Sequence, residues 1–472
     1  MATTNLLTLD RQLALAAKAL DTWRGELAVD GRRDKDDPLA SWPDLSSRAT
    51  IDAIGRSGLA PIPTTLPFLL PEGEIVTHVA AHPADPLAEV RGAMICWCAH
   101  LHVTRSVRDA TVARAALSRD ELPSDSFGKK ASLRAMLRAL ARPRQAGGVP
   151  EGRASQALED LSPQLLDGVV DEEARRREAA DMLGDKARCC LEVDAEAGAL
   201  ADGLLRATED EAADGVAFGL RAAQRSAKHP SWVDVLAVRR AADVAEGWPA
   251  ALSGRWFAEL ARGTELLSGL NVEVRVDPNR LTPRADFAGL HLAPPTGAWT
   301  FARALYALGA ALRLHGRDAR VPFAPHAPPH DRRHWALGEA FLALASTPVF
   351  HARARGVARQ KAELSARRLS TTRLLERRHL ALRVRLASEL QRGRRAFLEA
   401  FDDLGPKVFG EVPRAMAAVL GAPGPTGPAD DVARLRAFDE GDALARRLVE
   451  TFDADWWRNP KAASFLRERC AR

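Results

Sequence analysis

Apolar residues recur at helical spacing through most of this chain. Over residues 4–27, Leu6, Leu9, Leu13, Ala16, Leu20 and Trp23 fall on one stripe, which predicts a first helix. A charged loop, DGRRDKDDPLASWPD, follows it. Residues 57–86 are rich in Pro and Gly and read as irregular. Helical periodicity returns over 87–119 and again over 129–142. The stretch RPRQAGGVPEGR, residues 142–153, holds two Pro and three Gly and reads as a linker. Residues 154–264 alternate helical patterns with short breaks. The segment that begins DEEARRREAADML is charged on one side and apolar on the other. Pro230 marks the start of a helix near Trp232.

One region breaks this rhythm. NVEVRV, residues 271–276, alternates apolar and polar positions, and FAGLHL, residues 287–292, can pair with it. A buried helix over 301–316, a Pro-rich turn over 321–334 and a second apolar helix over 335–346 come next. Residues 352–404 read as one or two long helices. APGPTGP, residues 422–428, breaks the chain before a last helical segment. No repeat of fixed period is present. The expected fold is mainly α with a small β-element, divided into an N-terminal helical region (1–145), a central helical lobe (154–420) and a C-terminal helical segment (429–472).

Composition narrows the class. The chain has 472 residues, 46% hydrophobic and 27% charged, which places it among ordinary folded proteins and not disordered ones. A net charge of +5 requires neither a nucleic-acid nor a lipid partner. No apolar run reaches the 18 or so residues that span a bilayer, so no membrane partner is expected. The first twenty residues read as an amphipathic helix, not a signal peptide. Five cysteines (Cys96, Cys98, Cys189, Cys190 and Cys470) make a poor disulfide framework, and the expected setting is the reducing cytoplasm. Cys96 and Cys98, with His100 and His102 nearby, sit in an apolar run and read as core residues before they read as metal ligands. Tyr306 is the only tyrosine.

The chemistry gathers where a strand pair, a buried helix and a helix bearing Glu339 follow in order. Two His at i and i+4 on one helix, with a Glu beside the first, make a zinc site, and a later Glu supplies the third ligand. The stretch from about 270 to 350 resembles the oligoendopeptidase and thimet-oligopeptidase family, neurolysin-like zinc peptidases. VDPNRLTPRADFAGLHLAPP resembles the segment before the family's zinc helix, and TFARALYALGAALRLHG resembles that helix. Where the family carries His-Glu-Leu-Gly-His-Ala-Leu, this chain has Tyr306, Ala307, Leu308, Gly309, Ala310, Ala311 and Leu312. The packing residues remain and the chemical ones are gone. ALGEAFLALASTPVF resembles the helix of the third ligand, with Glu339 29 residues beyond Ala310.

The resemblance implies a degenerate metallopeptidase scaffold with a lost zinc motif. Ala310 cannot ligate, Ala307 cannot activate water, and no second Tyr is present to steady a transition state. Three readings follow. The first is a non-catalytic pseudopeptidase, without cofactor, that binds a peptide or protein in the former substrate cleft. The second is a working metallohydrolase with zinc held by Glu339 and by His326, His330 and His334; Pro328 and Pro329 break the helix that would align those histidines. The third is a nucleic-acid-associated protein. Residues 353–395 hold 14 Arg or Lys against three Glu, a net of +11 that leaves the rest of the chain at −6. Arg367, Arg368, Arg377, Arg378, Arg394 and Arg395 are its candidate phosphate contacts. No aromatic residue lies between Phe350 and Phe397 to stack on bases, so binding there is expected to be weak and salt-sensitive. The bland alternative is a helix whose arginines pair within the protein.

No Walker or Gly-x-Gly-x-x-Gly loop occurs, and Ser124–Ser126 read as caps and turns. His315 reads as a C-terminal residue serving its own helix's last carbonyls. Residues 300–314 are expected to pack on 335–346, with the strand pair beside them. A buried Glu339 is expected to find a cation, with Arg303 and Arg313 the nearest candidates in sequence. The strand over 287–292 is expected to be an edge on which a peptide can add.

Overall fold

The computed structural model describes residues 6–29, 37–56, 88–117, 151–188, 191–223, 229–241, 261–328 with short gaps, 331–424 and 427–471. The irregular stretch 57–86, the helix over 129–142, most of the 142–153 linker, Ser124–Ser126, Cys189, Cys190 and His330 lie outside the described residues.

The chain is mainly helical. The N-terminal helices are α1 (Leu6–Val29), α2 (Arg48–Gly55) and α3 (Ala88–Leu117), followed by α4 (Glu151–Asp181), α5 (Ala195–Ala207), α6 (Glu209–Ala222) and α7 (Trp232–Arg240). The predicted stripe of α1 is the buried one: Leu9, Leu13, Ala16, Leu20 and Trp23 all enter the core. Asp10, on the same helix, is also buried. Its carboxylate accepts backbone N–H bonds from Phe323 (2.6 Å) and Ala324 (2.9 Å), which satisfies donors that open a short helical turn. α7 begins where Pro230 predicted. Ser231 is its N-cap and closes a capping box with Asp234.

On α3, Cys98 is a buried free thiol, as is Cys470 near the chain's end. Cys96 is disulfide-bonded, which corrects the expectation of unpaired thiols. It is the half-exposed member of the Cys96–Cys98 pair, so its sulfur is not closed off by the helix packing that buries Cys98.

The β-element has three strands: β1 (Val274–Val276), β2 (Arg284–Asp286) and β3 (Gly289–Leu292). Their order is β1-β3-β2, with β1 parallel and β2 antiparallel to β3. The two predicted segments do pair, with Val274 opposite Leu290 and Val276 opposite Leu292. The strand within 287–292 is nevertheless the central one, not an edge, because the short strand β2 lies against its other side. Three residues are too few for alternation to reveal such a strand.

Beyond the sheet run α8 (Ala298–Gly316), α9 (Arg333–Leu344), α10 (Pro348–Arg355), α11 (Arg359–Leu390), α12 (Arg394–Phe409), α13 (Pro428–Arg436), α14 (Phe438–Phe452) and α15 (Pro460–Ala471). The span 352–404 is therefore divided among three helices. Gly356 (φ 66°) and Gly393 (φ 118°) make the breaks, in backbone that a side chain disfavours. Among the described residues, three buried apolar clusters hold the helices together. One joins α4–α7 to α11–α13, one joins the sheet to α8, α9, α14 and α15, and one joins α1–α3 to residues 323–327. No described helix is long and apolar enough to cross a membrane.

α8 and α9 pack on each other and the sheet lies beside α8, as the sequence order implied. Glycine permits the approach. A Cβ at Gly309 would collide with the Leu337 carbonyl, and one at Gly338 would fall 2.7 Å from the Tyr306 ring. This fixes the expected effect of Gly309→Ala. Helix propensity favours Ala by about 1 kcal/mol. The colliding atom belongs to a backbone and cannot rotate away, which costs roughly 1–3 kcal/mol. Denaturant unfolding is expected to show net destabilisation; a more stable variant would contradict this close packing.

Candidate functional site

α9 is set by Asp331, just ahead of its first turn. That buried carboxylate accepts from the Arg333 backbone N–H (3.0 Å) and side chain (2.9 Å), and from Arg313 Nε (2.6 Å). Burial alone would raise its pKa, but the two guanidinium groups outweigh that and hold it at about 2. Arg313 also donates to the Cys470 carbonyl near the end of α15. It is therefore committed elsewhere and is not the partner of Glu339.

Two turns along α9, Glu339 is completely buried. Three arginines from two other helices converge on it. Arg434 of α13 lies 3.1 Å from Oε1, while Arg377 and Arg373 of α11 lie 3.3 Å and 3.5 Å from Oε2. Burial pushes the carboxyl upward, yet attraction to Arg434, Arg373 and Arg377 outweighs it and holds the group below its ordinary value. Asp442 of α14 accepts from Arg373 (2.5 Å) and Arg377 (2.7 Å), and orients both. The backbone of Gly441 leaves room for the Glu339 Cβ.

Tyr306 stands beside this junction. Its ring carries the Arg303 guanidinium at 4.2 Å on centroid distance and the Arg434 guanidinium at 4.9 Å. Arg303, a candidate partner of Glu339, thus stacks on Tyr306 and interacts with the carboxylate only through space. Burial raises the Tyr306 hydroxyl to about 12. Glu376 of α11 pairs with Arg239 at 3.0 Å, and burial is outweighed by Arg239 and Arg303, so it sits at about 2. Ala307 and Ala310 are buried and offer no ligand.

The alternative histidines do not assemble. His326 accepts at Nδ1 from Arg333 (2.6 Å) and Arg313 (3.2 Å), and burial with those two cations lowers it to about 3. His334 is buried and bonded to the backbone of Ala310, and burial lowers it to about 4. Among the described residues no group of three His, Cys, Asp or Glu is placed to hold a metal ion. His315 bonds the Asp286 carbonyl of β2 at 2.9 Å, not its own helix's carbonyls.

The basic segment is divided: seven of its 14 basic residues, Arg367, Arg394 and Arg395 among them, are exposed, and the other seven are drawn into the protein. Arg394 pairs with Asp167, Arg395 with Glu399, Arg383 with Asp431, and Arg353 with Asp455. Arg367 stacks on Phe218 at 3.9 Å and Arg368 is fully buried. Arg378 is buried too and donates to the Leu205 (2.5 Å) and Lys407 (2.7 Å) carbonyls, so one guanidinium serves the last turns of α5 and α12.

With this geometry in hand, solved structures supply a fold comparison. A Pyrococcus furiosus carboxypeptidase, described as apo-Mg, superposes with a TM-score of 0.51 at 12% identity, over 99% of this chain and 91% of its own. The two chains share a mainly helical fold. An M32 carboxypeptidase from Deinococcus radiodurans gives 0.45 at 16% identity, over 99% and 91% of the two chains. Metallocarboxypeptidase 1 of Trypanosoma cruzi gives 0.36 at 12%, over 81% and 85%. No protein-family model matches the sequence, and no curated protein matches it.

For a metal ion the donor set at this place does not fit. Tyr306 is stacked with the Arg303 and Arg434 guanidinium groups, Ala307 and Ala310 carry no donor atom, and Glu339 is saturated by arginine. Sequence reasoning missed Arg373 and Arg434, and it read Arg377 as a phosphate contact and not as a partner of Glu339. Arg373 and Arg377 share a face of α11 at i, i+4, a spacing that predicts a joint acceptor without saying which.

Tyr306 makes the burial measurable. A tyrosine whose folded pKa is raised to about 12 stays neutral while its unfolded counterpart ionises near 10. Stability is therefore lost as pH rises from about 10 toward 12. Since the chain has one tyrosine, tyrosinate absorbance is expected to appear together with loss of helical circular dichroism. A titration near pH 10 in the folded protein would show instead that the ring is open to solvent.

Proposed function

We propose that the chain is a degenerate, non-catalytic relative of the oligoendopeptidase and thimet-oligopeptidase family that binds a peptide or protein in the former substrate cleft. The observation that carries this reading is the saturation of Glu339 by Arg434, Arg377 and Arg373. A carboxylate that serves a metal presents open lone pairs to a cation of fixed geometry. Here the cation belongs to the chain. With Ala307 and Ala310 at the positions of the general base and second ligand, neither zinc binding nor water activation has the residues it needs.

A peptide adding to the sheet would use the β1 side, where Val276 is 54% exposed, because β3 is flanked on both sides. Arg367, Arg394 and Arg395 are exposed, but Arg394 and Arg395 pair with Asp167 and Glu399 and no aromatic residue stands among them, so only weak, salt-sensitive nucleic-acid binding belongs to this reading. A cytoplasmic setting is supported by the free thiols Cys98 and Cys470, while the disulfide at Cys96 weighs against it.

The test is elemental analysis of protein purified without chelator, together with cleavage of a mixed peptide library. The expected result is substoichiometric zinc, no product, and retention of a subset of peptides. Stoichiometric zinc, with cleavage abolished by Glu339→Ala, would replace this reading with an active metallohydrolase.

A further inference from the structure

We propose that Arg303 and Tyr306 hold a small monovalent anion, a halide or a carboxylate group. The two side chains are stacked, with the Arg303 guanidinium 4.2 Å from the centre of the Tyr306 ring. Arg303 Nη1 and Tyr306 Oη are both buried, and neither has a hydrogen-bond partner among the described residues. Tyr306 is only 5% exposed. A guanidinium can only donate, and a phenol facing it has a proton to give. Two buried donors in one stack call for an acceptor that both can reach.

No described acceptor bonds either donor, and three of the nearby carboxylates are committed elsewhere. Glu339 is taken by Arg434, Arg377 and Arg373, Asp442 by Arg373 and Arg377, and Glu376 by Arg239. The local charge agrees. The guanidinium groups of Arg239, Arg303, Arg373, Arg377 and Arg434 stand against the carboxylates of Glu339, Glu376, Asp430 and Asp442. Five guanidinium groups against four carboxylates leave one positive charge in excess, which is costly where water is scarce, and one small anion removes it while supplying the missing acceptor. A water molecule would supply the acceptor and leave the charge. The inference does not rest on the peptide-binding reading, since these donors lack an acceptor whatever the cleft binds.

The single tyrosine provides the probe. Full-length protein labelled with 3-fluorotyrosine carries one ¹⁹F resonance, at position 306. Sodium chloride and sodium acetate are titrated in separate arms, with ionic strength held by sodium methanesulfonate. A saturable shift with either salt is expected, and the responding arm identifies a halide or a carboxylate. In Arg303→Gln the apparent affinity is expected to fall at least roughly tenfold, as loss of a charged hydrogen bond implies. Diffraction from wild-type crystals soaked in bromide provides a second readout that needs no variant, with an anomalous peak expected between Arg303 Nη1 and Tyr306 Oη. A non-saturating shift that is the same in wild type and Arg303→Gln would overturn the proposal. So would crystals in which Arg303 bonds Glu376 directly and no anion lies between the two donors.

Discussion

A carboxylate with no exposure to water has to be balanced where it stands, and Glu339 is balanced by three guanidinium groups. The idealised cost of moving such an ion out of water is of order 20 kcal/mol, and several kcal/mol remain after relaxation. Attraction from Arg434, Arg377 and Arg373 exceeds that penalty, since the carboxyl is held below its ordinary pKa. The geometry this demands reaches across the fold. α9 brings the acid, α11 two of the arginines and α13 the third, while Asp442 on α14 keeps the α11 pair in place. Gly441 admits the Glu339 Cβ, and Gly338 lets the Tyr306 ring lie against α9. One charge thus links four helices that the apolar clusters also pack together.

The same logic explains why so much arginine can be buried in a chain of modest net charge. Arg378 serves the closing carbonyls of two helices, and Arg313 joins the start of α9 to the end of α15. Carbonyls at a helix C-terminus lack intrahelical donors and carry partial negative charge. A guanidinium can reach several of them at once from a long stem. Half of the basic run over 353–395 is therefore internal wiring between helix ends and acids and half faces solvent, a division that a count of charges along the sequence does not reveal.

Helical periodicity made most of the fold legible. The α1 stripe, the Pro230 start of α7 and the order of sheet, α8 and α9 could all be read from residue spacing, whereas Glu339 was singled out by the family resemblance. Strand β2 was not legible, because three residues carry no period, and its presence turned an expected edge into the central strand. The partner of Glu339 was legible in kind and not in identity. Arg303 and Arg313 are near in sequence, whereas Arg434 lies 95 residues away and meets the acid only when α13 packs. Long-range ion pairs of this sort leave no local signature. The histidine series His326–His334 shows the converse: even spacing has no geometric meaning across two prolines, and its described members point to different partners.

The central claim is that a covalently held guanidinium, not a metal, neutralises the buried acid. A double-mutant cycle on Glu339→Gln and Arg434→Met, followed by denaturant unfolding with and without chelator, tests it most directly. The account predicts a coupling of about 2–3 kcal/mol, unchanged by chelator. Additivity of the two substitutions within about 0.5 kcal/mol, or wild-type stability that falls when chelator is added, would contradict it.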